Sequence, residues 1–227
     1  MITFLVSTRN THKVAEIRAI LGNKFRYLTL AGFPAAPTVV EDAGTFAGNA
    51  TKKAVELARW LAGAADFESP APDFVLADDS GLAVDALEGA PGVYSARFAA
   101  LDSGRAGNSS SADNNAKLLR LLEGVPPTRR TARFQCALAL TPVARAGVEV
   151  ASPVCYADES EIQTRVFEGA CEGRIALAPC GAGGFGYDPL FVPEGFEQSF
   201  AELEQEFKNR ISHRAQALEK LKAEICA

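Results

Sequence analysis

Phe74-Val75-Leu76-Ala77-Asp78-Asp79-Ser80-Gly81-Leu82 decides how this chain is read. The four apolar residues predict a buried strand over 74–77, with the carboxylates and Ser80-Gly81 marking its end and a turn. Strand ends are where an α/β protein can place catalytic acids. Two adjacent carboxylates repel each other unless a cation lies between them or one is protonated. The pair is therefore a candidate for magnesium binding, for general-base chemistry, or for both. An ordinary acidic turn is the alternative that these residues alone leave open.

Outward from that stretch the chain reads as α/β. Residues 2–6 form an apolar first strand, and helices are predicted over His12–Leu21 and Phe46–Leu61, the first closed by Gly22. Arg26–Leu30 suggests a second strand, and residues 63–73 a surface loop. The Gly-, Ser- and Asn-rich stretch 103–113 reads as a mobile loop before a helix at 116–122. Between Arg133 and Ile175 several strands are predicted: 134–140, 148–156 and 162–167. One helix is expected from Phe207 to Ile225, with Phe207, Ile211, Ala215, Leu218, Leu221 and Ile225 inward. Alternating elements followed by a β-rich stretch imply a mixed sheet.

Composition narrows the function classes. The 227 residues carry a net charge of −5, which argues against nucleic acid or an anionic membrane as the main partner. No apolar run approaches the roughly 20 residues that span a bilayer. The N-terminus lacks the basic segment of a signal peptide. Five cysteines without a C-x-x-C point to free thiols in a reducing cytoplasm, and two distant histidines make a zinc site a poor reading.

Several segments carry candidate chemistry. Ser7-Thr8-Arg9-Asn10-Thr11-His12-Lys13 gathers hydroxyl, amide and cationic groups at a helix N-terminus, a ready anion site; plain capping by Thr8 or Asn10 is the alternative. Glu41-Asp42 precedes the second helix, on which Asn49 and Lys53 lie one turn apart. Magnesium is typically held by one or two carboxylates plus substrate phosphates and water. Gly181-Ala182-Gly183-Gly184-Phe185-Gly186 matches a dinucleotide fingerprint, but Tyr187-Asp188-Pro189 follows where a helix is required. Its glycines suit the close approach of a flat ligand, with Phe185 or Tyr187 available to stack or to pack in the core. Lys208, Arg210, Ser212, His213 and Arg214 crowd the start of the last helix, where cations oppose the macrodipole. An anionic or carbonyl-rich ligand would explain them, as would a solvated face paired with Glu202, Glu204 and Glu206.

Taken together these segments resemble the inosine triphosphate pyrophosphatase family (Ham1-like). The matching pieces are Ser7-Thr8-Arg9-Asn10-x-x-Lys13, Glu41 with Thr45-Phe46-x-x-Asn49-Ala50-x-x-Lys53, and Ala77-Asp78-Asp79-Ser80-Gly81-Leu82. Gly89 to Arg97, Gly183 to Pro189 and Ser212-His213-Arg214 follow in the family's order. The resemblance implies an elongated mixed sheet with flanking helices, two lobes of one domain around a central cleft, and a cytoplasmic homodimer. It implies magnesium-dependent hydrolysis of ITP, dITP and XTP to the monophosphate and pyrophosphate. By position, Thr8, Arg9, Asn10 and Lys13 would hold phosphates, with Lys53 facing them. Glu41 and Asp79 would bind metal, and Asp79 would also activate water. Ser80, Phe185, Gly186, Tyr187, Asp188, Lys208, His213 and Arg214 would bind the rest of the substrate. Whether Asp42 or Asp78 joins the metal is left open. Rival readings are a pyrophosphatase for another modified nucleotide, a nucleotide-binding regulator, and a dinucleotide-dependent oxidoreductase. Two departures stand out: Arg9 replaces a common glycine, so the loop must close without it or Asn10 must take a left-handed angle. Residues 144–163 also predict an extended hairpin or loop.

Overall fold

A computed structural model describes residues 1–63, 71–102, 104, 107–144 and 163–226. The strand expected over 148–156 and nearly all of the 144–163 extension lie outside the described residues, as do residues 64–70 of the 63–73 loop. The described residues form a six-stranded sheet in the order β2-β1-β3-β4-β5-β6. The strands are β1 (Thr3–Ser7), β2 (Arg26–Thr29), β3 (Phe74–Val84), β4 (Thr131–Pro142), β5 (Arg165–Ile175) and β6 (Phe191–Pro193). The sheet is mixed: β1 runs parallel to β2 and β3, whereas β5 and β6 are antiparallel. The helices are α1 (Thr11–Leu21), α2 (Phe46–Gly63), α3 (Ser111–Leu121), α4 (Gln205–Ile211) and α5 (His213–Ile225).

The chain divides into two compact units. The first comprises Met1–Asp79, Ala137–Glu168 and Leu218–Ala227. Its β1 is buried throughout and pairs Phe4 with Phe74 and Leu5 with Val75. Helix α1 starts where Asn10 Oδ1 accepts from the His12 and Lys13 amides, and ends at Gly22, whose φ of +77° a glycine adopts at little cost. Helix α2 buries Ala50, Ala54, Leu57, Ala58 and Leu61 in one cluster with Leu5, Val75 and Ala77 of the sheet. Its alanines let the helix backbone lie close to the strands. Its two fully buried leucines, Leu57 and Leu61, each contribute about 1.5–3 kcal/mol.

The second unit comprises Ser80–Cys136 and Gly169–Ala217. Its core joins Leu82 and Val84 of β3 to Leu118 and Leu122 and to the aromatics Phe134, Phe191 and Phe200. Phe134 meets Phe191 edge-on at 4.7 Å between ring centroids.

Three elements differ from expectation. Strand β3 does not end at Ala77 but continues through both aspartates to Val84, because Leu82 and Val84 are themselves core residues. The expected C-terminal helix is two: Ser212 has extended backbone and its hydroxyl accepts from the Ala215 amide, which ends α4 and caps α5. Phe207 is consequently largely exposed. Helix α3 begins earlier than predicted, because Ser110 accepts from the Asp113 amide and donates to its carboxylate at 2.7 Å, so the polar tail of the 103–113 stretch is a helix start.

Gly169 of β5 lies under α5: a Cβ there would stand 2.2 Å from the His213 carbonyl oxygen and 2.7 Å from the Ala217 nitrogen. Both obstacles are backbone. Gly169→Ala is expected to cost at least about 1–3 kcal/mol of stability, measured by urea unfolding.

Candidate active site

Side chains alternate along a strand, so Asp78 and Asp79 leave β3 on opposite faces. Each finds its own lysine within the first unit. Asp78, 2% exposed, is paired with Lys13 in the first turn of α1. Asp79, 7% exposed, faces α2. Its Oδ1 lies 3.2 Å from Lys53 Nζ, and its Oδ2 accepts from Asn49 Nδ2 at 3.1 Å. Lys13 thus pairs with Asp78 and Lys53 with Asp79.

Lys53 Nζ also reaches Glu41 Oε1 at 3.2 Å and the Asp78 carbonyl at 2.8 Å. All three ammonium protons thus have acceptors. Glu41 and Asp79 bind one ammonium, so their nearer oxygens are no further apart than twice the 3.2 Å contact. Asn49 fixes this arrangement, for its Oδ1 accepts from the Ala43 amide in the segment after Glu41. Asp42 stands aside on the surface with Lys52 at 2.6 Å, which holds its carboxyl below the usual range.

Burial pushes the Asp79 carboxyl above its ordinary range, against the pull of Lys53 and Lys13; Glu41 adds to the rise and the Asn49 hydrogen bond opposes it. Two hard oxygen donors beside a polar amide form a set that suits a divalent cation such as magnesium.

The β1–α1 loop closes on its own side chains. Thr8 Oγ1 accepts from the Asn10 amide at 3.1 Å, and Asn10 caps the helix. Asn10 has φ −80°, so the loop tolerates Arg9 without a left-handed residue. Arg9 is exposed.

In the second unit, Ser80 Oγ accepts from Arg214 Nη2 at 2.8 Å. Arg214 is only 1% exposed, and its guanidinium lies 5.9 Å from the Phe185 ring centroid. Lys208 is equally buried and pairs with Asp188 at 2.6 Å, with Phe185 4.8 Å from its ammonium. It lies in the last turn of α4, where the dipole favours a cation, so the expected opposition to the macrodipole holds only for the start of α5. Arg210 pairs with Glu206.

Asp188 Oδ2 also accepts from the Phe185 amide at 2.8 Å. A Cβ at Gly184 would overlap that carboxylate, which explains one glycine of the run; the run opens a turn and no helix. Tyr187 is buried, donates its hydroxyl to the Ser95 carbonyl at 2.9 Å, and has its phenol pKa raised by burial. His213 is buried with its ring stacked on Phe134 at 4.8 Å.

The sequence reading assigned no role to Asn49, although its spacing from Lys53 was visible. The Lys13–Asp78 pair went unforeseen because it needs the strand's faces, which a strand ending at Ala77 hides.

An α/β sheet whose third strand carries aspartates paired with lysines, and a buried cluster of cations and an aromatic ring in the second unit, characterise the chain. The chain belongs to the Ham1 family, whose model matches residues 4–224. It is 46% identical to a dITP/XTP pyrophosphatase of Desulforamulus reducens over 95% of this chain and 92% of the relative. It is 42% identical to a dITP/XTP pyrophosphatase of Halalkalibacterium halodurans, covering 96% of each. Among solved structures, a HAM1 protein from Coxiella burnetii aligns with a TM-score of 0.75 and 32% identity, over 100% of this chain and 99% of that one.

Asp79 with a raised pKa binds its proton more tightly in the folded state than in the unfolded one. Its contribution is therefore most favourable below about pH 3.8 and is lost as pH rises through the higher folded value. In metal-free buffer, the thermal midpoint of Asp79→Asn relative to wild type is expected to fall as the pH is lowered from 8 toward 4, because only the wild type gains from protonating residue 79. A midpoint difference independent of pH would contradict this.

Proposed function

We propose that this protein hydrolyses ITP, dITP and XTP to the nucleoside monophosphate and pyrophosphate, and so removes modified purine nucleotides from the pool. The observation that carries the reading is the Lys53 ammonium shared by Glu41, Asp79 and the Asp78 carbonyl. The names of the relatives support the substrate class, and they favour it over a non-catalytic regulator or another modified nucleotide.

Glu41 and Asp79 would hold magnesium, which when bound supplies positive charge to the phosphate oxygens and the reacting water. Asp79 would take the proton of a water whose oxygen attacks the α-phosphorus. The bond from that phosphorus to the bridging oxygen breaks, and pyrophosphate carries the electron pair away. With Glu41 and Asp79 turned to the metal, Lys53 has two of its three donors for the phosphates. Lys13, with donors beyond the one given to Asp78, adds a second cation, and Thr8, Arg9 and Asn10 would border the phosphate chain.

In the second unit, Phe185 would stack on the base, and Lys208 or Arg214 would donate to its 6-oxo group. Ser80, Gly186, Tyr187, Asp188 and His213 would shape or support that pocket. Adenine presents an amino group at the same position and would leave those buried donors unmatched, a loss that can discriminate by roughly 10⁴. We also propose a homodimer and a cytoplasmic setting; the family resemblance supports both, and free thiols at Cys136, Cys171, Cys180 and Cys226 support the latter.

Pyrophosphate release from ITP, XTP, dUTP and ATP at fixed magnesium tests the reading. The purified protein is expected to turn over ITP and XTP far faster than ATP or dUTP. Asp79→Asn is expected to lower turnover by about 10²–10⁴ while a bound nucleotide remains detectable by calorimetry. Full activity in that variant would remove Asp79 from the mechanism.

A further inference from the structure

Asn114 and Asn115 are neighbours in α3 and are used differently. Asn114 is satisfied at both ends: its Oδ1 accepts from the Ala99 amide at 2.8 Å, and its Nδ2 donates to the Ala96 carbonyl at 3.3 Å. Asn115 uses only its donor. Its Nδ2 reaches the Gly186 carbonyl at 3.1 Å, 71 residues away in sequence. Its Oδ1 is buried and has no hydrogen-bond partner among the described residues.

The grip falls on a soft point of the chain. Gly186 has φ +64°, a conformation that a glycine adopts at little cost. A Cβ at Gly186 would meet nothing within 4 Å, so the space beside it is open. The turn is held on either side: the Phe185 amide by Asp188, and the Tyr187 ring by Ser95. The Gly186–Tyr187 peptide itself is held by Asn115. In a planar trans peptide the carbonyl and the N–H point in opposite directions. With the Gly186 carbonyl drawn to α3, the Tyr187 N–H is turned away from it.

We propose that Asn115 is a positioning residue for nucleobase selection: it locks this peptide so that the turn offers an N–H donor to an oxopurine. The inference rests on the assignment of Phe185–Asp188 to the base. Turned over, the same peptide would present its carbonyl, an acceptor that suits the amino group of adenine. One side-chain amide thus sets the sign of a hydrogen-bonding group that never leaves the backbone.

The test compares wild type with Asn115→Asp, whose carboxylate repels the Gly186 carbonyl, and with Asn115→Ser, whose hydroxyl is too short to reach it. The readouts are kcat/KM for ITP and ATP and calorimetric affinity for IMP and AMP. Both variants are expected to narrow the ITP-to-ATP ratio about tenfold or more, mainly through a higher KM for ITP. The IMP-to-AMP affinity ratio should fall with it. Asn114→Asp is expected to lower the thermal midpoint but to leave both ratios unchanged. Unchanged ratios in whichever Asn115 variants fold, or an equal change in Asn114→Asp, would overturn the proposal. A wild type that releases no pyrophosphate from ITP would instead overturn the proposed function.

Discussion

Strand β3 places two consecutive carboxylates in the buried middle of the sheet, and a strand must send them to opposite faces. Neither ion is tolerable alone, since leaving one unpaired in such surroundings costs about 3–5 kcal/mol. Two helices therefore each bring a lysine to the same strand position from different sides. Lys13 does so from the turn that Asn10 caps, and Lys53 from two turns into α2. The cap fixes where α1 begins, so it also fixes how far the Lys13 ammonium reaches. Glu41 is drawn in by the same ammonium that neutralises Asp79, which brings residues from a loop, a helix and a strand to one point.

The second unit obeys the same constraint with different chemistry. Lys208 is buried against Asp188, and Arg214 donates to Ser80; both cations lie near the ring of Phe185. Guanidinium is less strongly hydrated than ammonium and presents a planar set of donors, which suits it to a hydroxyl and a ring at a buried position. Asp188 joins the two roles: one oxygen takes both the Lys208 ammonium and the Phe185 amide. The aromatic ring thus stays where the cations are.

What could be read from the sequence was local. Helices α1 and α2 were legible because a cap, a glycine stop and an alanine–leucine stripe lie within a few residues of each other. The end of β3 was misread because Asp78-Asp79 looks the same whether solvent or lysines neutralise it, and those lysines are 65 and 26 residues away. Ser212 and Ser110 were misjudged for a related reason: a serine that caps a helix and one in a loop differ only in what their hydroxyls bond. Glu41, Lys53 and Asp79 were legible as a motif. Asn115 was not, because its partner is a backbone carbonyl, and a backbone group leaves no mark in the residue code.

The raised pKa of Asp79 connects stability with chemistry. Burial raises the proton affinity of Asp79 at the expense of the charged form, the direction that the proposed role as a base would call for. Lys53 and Lys13 oppose the rise. If Asp79 were placed at the strand's end in water, Lys53 would be redundant and the carboxylate an ordinary, weak base. Placed mid-strand, it needs Lys53, and under the proposed function the same ammonium would stand beside the phosphates. The continuation of β3 past Ala77 is thus what buries the carboxylate and gives it a lysine partner.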